Sequence, residues 1–403
     1  MTQTLAAHAA RPTDARIITL VGAAHFVSHV YILALAPLFP FVRADFGVTY
    51  TELGVAIALF NVAGFLQMPA GFLVDRFSAR AVLIGGLLLG AASLVGAALV
   101  SSFYLFVAMF ALLGVANATY HPADYALLSG RVSPARMSQA YAIHLFAGFS
   151  GTAAAPATLL ILAANFGWRG AFLVAAALGV VVAAVVFVFG DVMAGRDPAR
   201  IKEKESGEKG ADSRILFTAP VLLSLCFYML LAMMGGLQFY GIVALEALWG
   251  TSLPVATTAI TVYLAMMAFA VLIGGFISAK TERHDLVAMT GLALTALTLV
   301  PVAFFDLGAA ALIGLLGLAG FFNGMLQPSR DMIVRAITPP GAFGRVFGFV
   351  TTGFNIGGVI APPVFGYMMD HGEPRLVILG VAFCALISIP TVMITAAQRA
   401  KGA

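Results

Sequence analysis

Runs of about 20 mostly apolar residues recur along almost the whole chain, and short loops between them hold most of the charge. A helix of about 20 residues crosses a hydrocarbon core about 30 Å thick. Because 61% of the 403 residues are hydrophobic and only 10% are charged, the chain cannot cover itself with a water-facing surface. We predict an all-α integral membrane protein with twelve transmembrane helices. The predicted spans are 17–40, 51–73, 81–100, 103–130, 137–163, 170–190, 216–245, 254–277, 286–304, 308–334, 344–369 and 375–396.

The basic residues favour one orientation of these spans. An even number of spans puts both chain ends on one side, and the loops on that side carry most of the 22 Lys and Arg residues. The opposite loops hold only Arg43, Arg169 and Arg375. Since Lys and Arg concentrate in cytoplasmic loops, we predict a multi-pass protein of the bacterial inner membrane with both termini in the cytoplasm.

The two halves of the chain repeat each other. GFLVDRFSAR at 71–80 corresponds to GFISAKTERH at 275–284, and the Asn and Pro of 117–122 return in 323–328. Matching landmarks at a nearly constant offset indicate a duplication of six spans, independently of hydropathy. We therefore divide the chain into a six-helix bundle over 1–190, a polar cytoplasmic linker over 191–215 and a second six-helix bundle over 216–403.

The segment GFLVDRFSAR closely resembles the signature between spans 2 and 3 of the major facilitator superfamily. The resemblance covers the whole chain and implies two pseudo-symmetric six-helix bundles, with spans 1, 4, 7 and 10 lining a central cavity. It also implies a cytoplasmic latch that gates alternating access, in which the carboxylate approaches a helix N-terminus of the opposite half. The gating residues are then Gly71, Asp75, Arg76 and Arg80.

A second resemblance concerns the fourth span. His121-Pro122 after a Gly-containing apolar run is similar to the fosmidomycin-resistance-type efflux branch of that superfamily. That branch has a Glu after the proline, whereas this chain has Ala123 and Asp124. The resemblance favours export, but because the Glu of that branch is absent, it does not by itself predict a drug as the solute. GFSGTAAAP in span 5 resembles a degraded form of the Gly-Pro motif of antiporter members and favours antiport.

Ionisable groups at membrane depth are costly, so their presence in a span is a functional hypothesis. Histidine suits proton coupling because its unperturbed pKa of about 6.5 lies near neutral pH. The candidates for substrate binding and proton coupling lie in spans 1, 4 and 10, and His144 adds a titratable group in span 5. They are His25, His29, Asn117, His121, Asp124, Asn323, Gln327, Arg330 and Asp331.

Prolines stand beside these polar residues. Pro122 and Pro328 cannot donate a backbone hydrogen bond, so each leaves a carbonyl one turn earlier without its helical partner. We expect a kink at each proline, next to the cavity. A purely structural role in helix packing remains the alternative, because proline is common in membrane helices.

These features predict a proton-coupled secondary active transporter that moves a small organic solute, an anion or a drug, by alternating access. It is expected to act as a monomer among membrane lipids, with no catalytic residues, no cofactor and no nucleic-acid partner. One alternative is an organic-anion uptake carrier or exchanger without proton coupling, since Arg330 could pair with a carboxylate or phosphonate. Less favoured alternatives are a membrane enzyme, a channel and a transporter of a metal held by His25, His29, His121 and Asp124.

The repeat also suggests a gate. Asp124 and Arg330 are counterparts late in spans 4 and 10, each running toward the cytoplasm. If these helices face each other across the cavity, Asp124 and Arg330, with Asp331, would approach when the cytoplasmic side closes. A contact made in one conformer shifts the population toward that conformer.

The latch gives the first prediction. Asp75→Asn is expected to slow interconversion between the two cavity orientations, because the substitution removes the negative charge that a helix N-terminus attracts. Transport rates in liposomes should fall while substrate affinity changes much less. Unaltered transport rates would leave this loop with a topological role only.

Overall fold

The computed structural model describes residues 12–193, 213–339 and 342–402, and these residues are almost entirely helical. Most of the predicted linker therefore lies outside the described residues. The membrane spans, labelled α1 to α12, are Thr13–Phe46, Tyr50–Arg76, Ala79–Leu99, Phe103–Arg131, 137–166, 168–189, Ala219–Trp249, Leu253–Lys280, His284–Phe304, Ala309–Ile337, Phe343–Asp370 and Pro374–Gly402.

Eleven helical stretches of the described chain are long and apolar enough to cross a membrane. One of them, Met137–Met193, is 57 residues long, about twice the length of a single crossing. Gly167 interrupts it with φ 70° and ψ 168°. This conformation favours glycine, which has no Cβ, and it turns the chain back, so the stretch forms α5 and α6. The prediction of a twelve-span helical membrane protein is confirmed.

The two predicted kinks differ. Span α10 divides into Ala309–Met325 and Gln327–Ile337, just before Pro328. Span α4 instead continues as one helix through Pro122. The helix is thus interrupted beside the polar residues of the second bundle. Pro122 is accommodated within a continuous helix, and a kink there stays a prediction.

The first bundle (α1–α6) and the second (α7–α12) meet along α2 and α11, and α5 also packs along α8. Glycines bring α2 and α11 into backbone contact. A Cβ on Gly54 would collide with the carbonyl of Pro362, and one on Gly366 would lie 2.5 Å from the carbonyl oxygen of Tyr50. We call this contact the seam. The seam lies toward the side of the membrane on which α1 ends and α2 begins. We call this side the far face.

A carboxylate closes the seam at the far face. Asp370, the last residue of α11, accepts hydrogen bonds from the backbone N–H groups of Tyr50 and Thr51 at 2.9 and 2.8 Å. It also accepts one from the Thr51 hydroxyl at 2.6 Å. These N–H groups begin α2 and have no partner within their own helix, and the helix dipole favours negative charge there. Asp370 therefore caps a helix of the opposite bundle.

The opposite face, where α6 ends and α7 begins, is open, and we call it the linker face. Within the described residues, no neighbouring atom lies within 4 Å of a Cβ built on Gly71 of α2 or Gly348 of α11. Met68 and Phe72 are 77% and 68% exposed. The bundles thus join at the far face and separate toward the linker face. Gly71, one of the predicted gating residues, is therefore not closely packed against the second bundle in this conformation.

The hydrogen bonds that Asp370 accepts from the first turn of α2 predict the effect of the substitution Asp370→Asn. The amide loses the charge that strengthens the three hydrogen bonds, which should cost about 2 kcal/mol and shift the population toward a far-face-open state by about 30-fold. Pulsed electron paramagnetic resonance can report this as a longer distance between spin labels at Leu99 and Phe305, with Cys226 and Cys384 replaced by Ala.

Asp306→Asn is the matched control, because Asp306 lies in another far-face loop and is exposed. Its distance distribution should equal that of the parent protein. If Asp370→Asn behaves like this control, the carboxylate does not hold the seam.

Candidate functional site

Five ionisable side chains meet inside the first bundle, and we call them the histidine cluster. Span α1 supplies His25 and His29 one turn apart, α4 supplies His121 and Asp124, and α5 supplies His144. Residues three or four apart share a helix face, so each pair projects toward the same centre. His144 of α5 completes the cluster.

His25 is at the centre. Its ring centroid lies 3.7 Å from that of His144, 4.6 Å from His29 and 5.1 Å from His121. The Asp124 carboxylate lies 3.3 Å from Nδ1 of His25 and 3.9 Å from Nδ1 of His144. All five groups are therefore close enough for one protonation event to affect the others.

The deepest members of the cluster are buried without full hydrogen bonding. Asp124, His25 and His144 are 0%, 2% and 3% exposed. Among the described residues, both carboxylate oxygens of Asp124 and both ring nitrogens of His144 lack a hydrogen-bond partner. Unpaired polar groups in an apolar interior cost free energy, so packing alone does not explain this arrangement. An intramembrane group of this kind is a functional candidate.

The cluster reaches the cavity through its outer members. His29 and His121 are partly exposed, and Nδ1 of His29 lies 2.8 Å from the hydroxyl oxygen of Thr152. Tyr125 stacks on His121 with ring centroids 5.8 Å apart and is itself 44% exposed. Its ring centroid also lies 5.5 Å from that of His144. Tyr125 therefore contacts two members of the histidine cluster.

The second bundle contributes a different set, which we call the arginine cluster. It comprises Gln327, Arg330 and Asp331 of α10, with Tyr228 of α7 and Phe354 of α11. Nε of Arg330 donates to Asp331 at 2.8 Å, and Nη1 donates to the side-chain oxygen of Gln327. The Tyr228 hydroxyl donates to the same oxygen of Asp331 at 2.6 Å. Arg330 is thus paired within its own bundle.

The two asparagines have other surroundings. Asn323 is 7% exposed, and its amide donates to the Tyr263 hydroxyl at 2.8 Å and contacts the sulfur of Met267. It therefore ties α10 to α8. The backbone carbonyl oxygen of Asn323 accepts a hydrogen bond from the Gln327 side chain at 3.3 Å, which links Asn323 to the arginine cluster. Asn117, its counterpart in α4, is partly exposed.

The proposed gate is not formed in this conformation. Asp124 faces His25 and His144, and Arg330 pairs with Asp331. Because the gate was predicted for a state closed at the linker face, it stays a prediction. Of the gating residues, Asp75 and Arg76 are exposed at the linker-face end of α2, whereas Arg80 donates to the carbonyl of Phe187 and joins α3 to α6.

Ring nitrogens of His25, His121 and His144 lie within 4.8 Å of one another, which is close enough to consider a metal ion. The orientations of the histidine rings argue against a metal site here. His25 and His144 are stacked with an interplanar angle of 24°, so their in-plane lone pairs run nearly parallel and do not converge on one ion. The set also differs from the His25, His29, His121 and Asp124 combination suggested by the sequence.

Comparison with known proteins decides the family. The family model described as Major Facilitator Superfamily matches residues 21–248 and 232–402. The chain belongs to this superfamily. Major facilitator proteins are transporters of small solutes, so this multi-pass membrane protein is a transporter and not an enzyme.

Relatives and solved structures agree with this assignment. The chain is 24% identical to the fosmidomycin resistance protein of Escherichia coli over 97% of both chains. It is 25% identical to the probable sulfoacetate transporter SauU of Cupriavidus necator, over 86% of this chain and 85% of that protein. A bacterial homologue of the human lysosomal transporter Spinster, in an inward-facing and occupied conformation, has the same fold with a TM-score of 0.78, 14% identity and coverage of 96% and 98%.

Close packing beneath the cluster gives a prediction. A Cβ on Gly148 of α5 would lie 2.6 Å from Nε2 of His25 and 2.8 Å from Nε2 of His29. Gly148→Ala should push both rings from their positions, cost about 1–3 kcal/mol through overpacking and reduce transport.

Gly85→Ala is the matched control, because nothing lies within 4 Å of its Cβ position. Transport in liposomes and thermal unfolding should both be measured, and the control should keep transport and equal or exceed the parent's stability. Parent-like transport by Gly148→Ala would mean that the positions of these rings do not matter for transport.

Proposed function

We propose that this major facilitator protein is a proton-coupled secondary active transporter that moves a small organic solute by alternating access. The observation that carries the proposal is the burial of Asp124 among four histidines inside the first bundle. A charge placed at such depth is unfavourable unless it is neutralised. Transfer of a proton to or from this cluster therefore changes the free energy of the surrounding helices.

The stacked rings limit the charge of the cluster. His25 and His144 lie 3.7 Å apart, so two imidazoliums there would repel each other, whereas one imidazolium is favoured by the nearby Asp124. The other titratable members of the cluster are His29 and His121, and Tyr125 stacks on His121. Since His29 and His121 are partly exposed, they are the route by which a proton reaches the buried members.

The open face is assigned to the cytoplasm. The loops at the linker face carry most of the Lys and Arg residues, which favours the cytoplasmic side of a bacterial inner membrane. Both termini then lie in the cytoplasm, and the conformation described above is the inward-open one. The chain acts as a monomer in contact with membrane lipid, since the cavity is formed by its own two bundles.

Proton movement is expected to drive solute in the opposite direction. The relative named for fosmidomycin resistance supports export, and such an antiporter would bind protons from outside and release them inside. A carrier or exchanger of organic anions without proton coupling is the second candidate. It is favoured by Arg330, whose charge lies in the cavity-lining helix α10, and by the relative named for sulfoacetate.

The test compares His121→Ala and Asp124→Asn with the parent protein in liposomes that are given labelled fosmidomycin or sulfoacetate on the outside. Gradient-driven accumulation should be lost in both variants, because each removes a titratable member of the cluster. Exchange at equal pH should survive, since it needs no net proton transfer.

His371→Ala is the matched control, because His371 is exposed at the end of α11 and contacts only Tyr367 in the described structure. It should accumulate solute like the parent. If the parent protein accumulates solute without a proton gradient, proton coupling is wrong and the exchanger is favoured.

A further inference from the structure

The guanidinium of Arg330 is held in a fixed orientation. Its central carbon lies 4.8 Å from the ring centroid of Tyr228 and 5.1 Å from that of Phe354. Two aromatic faces attract a cation and restrict the plane of the guanidinium. The side chain keeps 14% of its surface accessible. Arg330 is therefore oriented in advance and still reachable from the cavity.

Part of this guanidinium remains available for a ligand. An arginine has five N–H donors. Asp331 takes the donor on Nε, and Gln327 takes one donor on Nη1. Among the described residues, three donors are left, one on Nη1 and two on Nη2. The edge formed by Nη1 and Nη2 has the spacing that matches two oxygens of one carboxylate, phosphonate or sulfonate.

Asp331 does not compete for that edge. Its Oδ1 is held at once by Nε of Arg330 and by the Tyr228 hydroxyl. The carboxylate is thus kept on the Nε side of the guanidinium. It reduces the net charge of the site but leaves the geometry for a second anion in place.

From this geometry we infer that Arg330 binds the headgroup of a small organic anion through its Nη1 and Nη2 edge. The inference rests on the proposed function and deepens it by naming the substrate class. Gln327 positions the guanidinium but contributes no charge.

The experiment measures binding without a gradient. Purified protein is titrated with benzoate, benzenesulfonate and phenylphosphonate, and with benzamide as the uncharged analogue of benzoate, at constant ionic strength. Unfolding temperature is followed by the fluorescence of Trp168 and Trp249, since a ligand that binds only the native state raises it. At least one acid should raise it, and benzamide should not. The ranking of the three acids distinguishes carboxylate, sulfonate and phosphonate.

Variants then locate the binding. Arg330→Lys keeps the charge but loses the planar pair of donors, so anion binding should weaken about tenfold or more. Arg335→Lys on the same helix is the matched control, because Arg335 is exposed, and it should bind like the parent. Equal affinity of the parent and Arg330→Lys, or equal binding of benzamide and benzoate, would overturn the inference.

A second variant keeps the test valid if Arg330→Lys fails to fold. Gln327→Glu leaves Arg330 in place and puts a carboxylate against Nη1, so anion binding should fall about tenfold or more. Unchanged binding in Gln327→Glu would overturn the inference.

Anion binding by a protein that does not respond to protons would refute only the proton coupling. Proton-driven transport that is undiminished in Arg330→Lys would refute only the anion site.

Discussion

The contact on which this conformation depends is the seam between α2 and α11. Gly54 and Gly366 allow the two backbones to touch. The Tyr240 hydroxyl donates to the backbone carbonyl oxygens of Tyr50 and Pro362. Asp370 then caps the first turn of α2. A side chain larger than hydrogen at either glycine would separate the helices, so the far face is closed by the backbone itself. Water and solute therefore reach the interior from the linker face.

The two copies of the repeat have diverged in charge. The first places Asp124 among four histidines, whereas the second places Arg330 between two aromatic rings and beside Asp331. The first set is suited to a mobile proton and the second to a fixed positive charge. Because the counterparts lie on helices of opposite bundles, proton and anion sites can face one cavity without neutralising each other directly. A duplicated fold thus offers two separately tuned sites.

The sequence predicted the features that depend on local composition. Span length, the repeat and the 71–80 motif were enough to predict twelve helices and the family, because each can be recognised directly in the order of residues along the chain. Long-range contacts were not accessible in this way. His144 joined the cluster, and Asp370 became a cap, only through packing between helices distant in sequence. Asn323, expected at the cavity, has its amide bonded to α8, since amphipathic pattern does not reveal which neighbour a polar face meets.

In alternating access, a ligand must change the stability of the seam although it binds at a distance from it. The seam joins the far-face halves of α2 and α11, whereas His121, Asp124 and Arg330 lie toward the linker-face ends of α4 and α10. A ligand shifts a conformational equilibrium only by its difference in affinity for the two states. To open a seam whose cap alone is worth about 2 kcal/mol, proton and solute must therefore bind the far-face-open state more tightly by at least about 30-fold. In the proposed mechanism, that difference arises because the two clusters approach each other as the bundles tilt. The separation between Asp124 and Arg330 would then follow the progress of the conformational change.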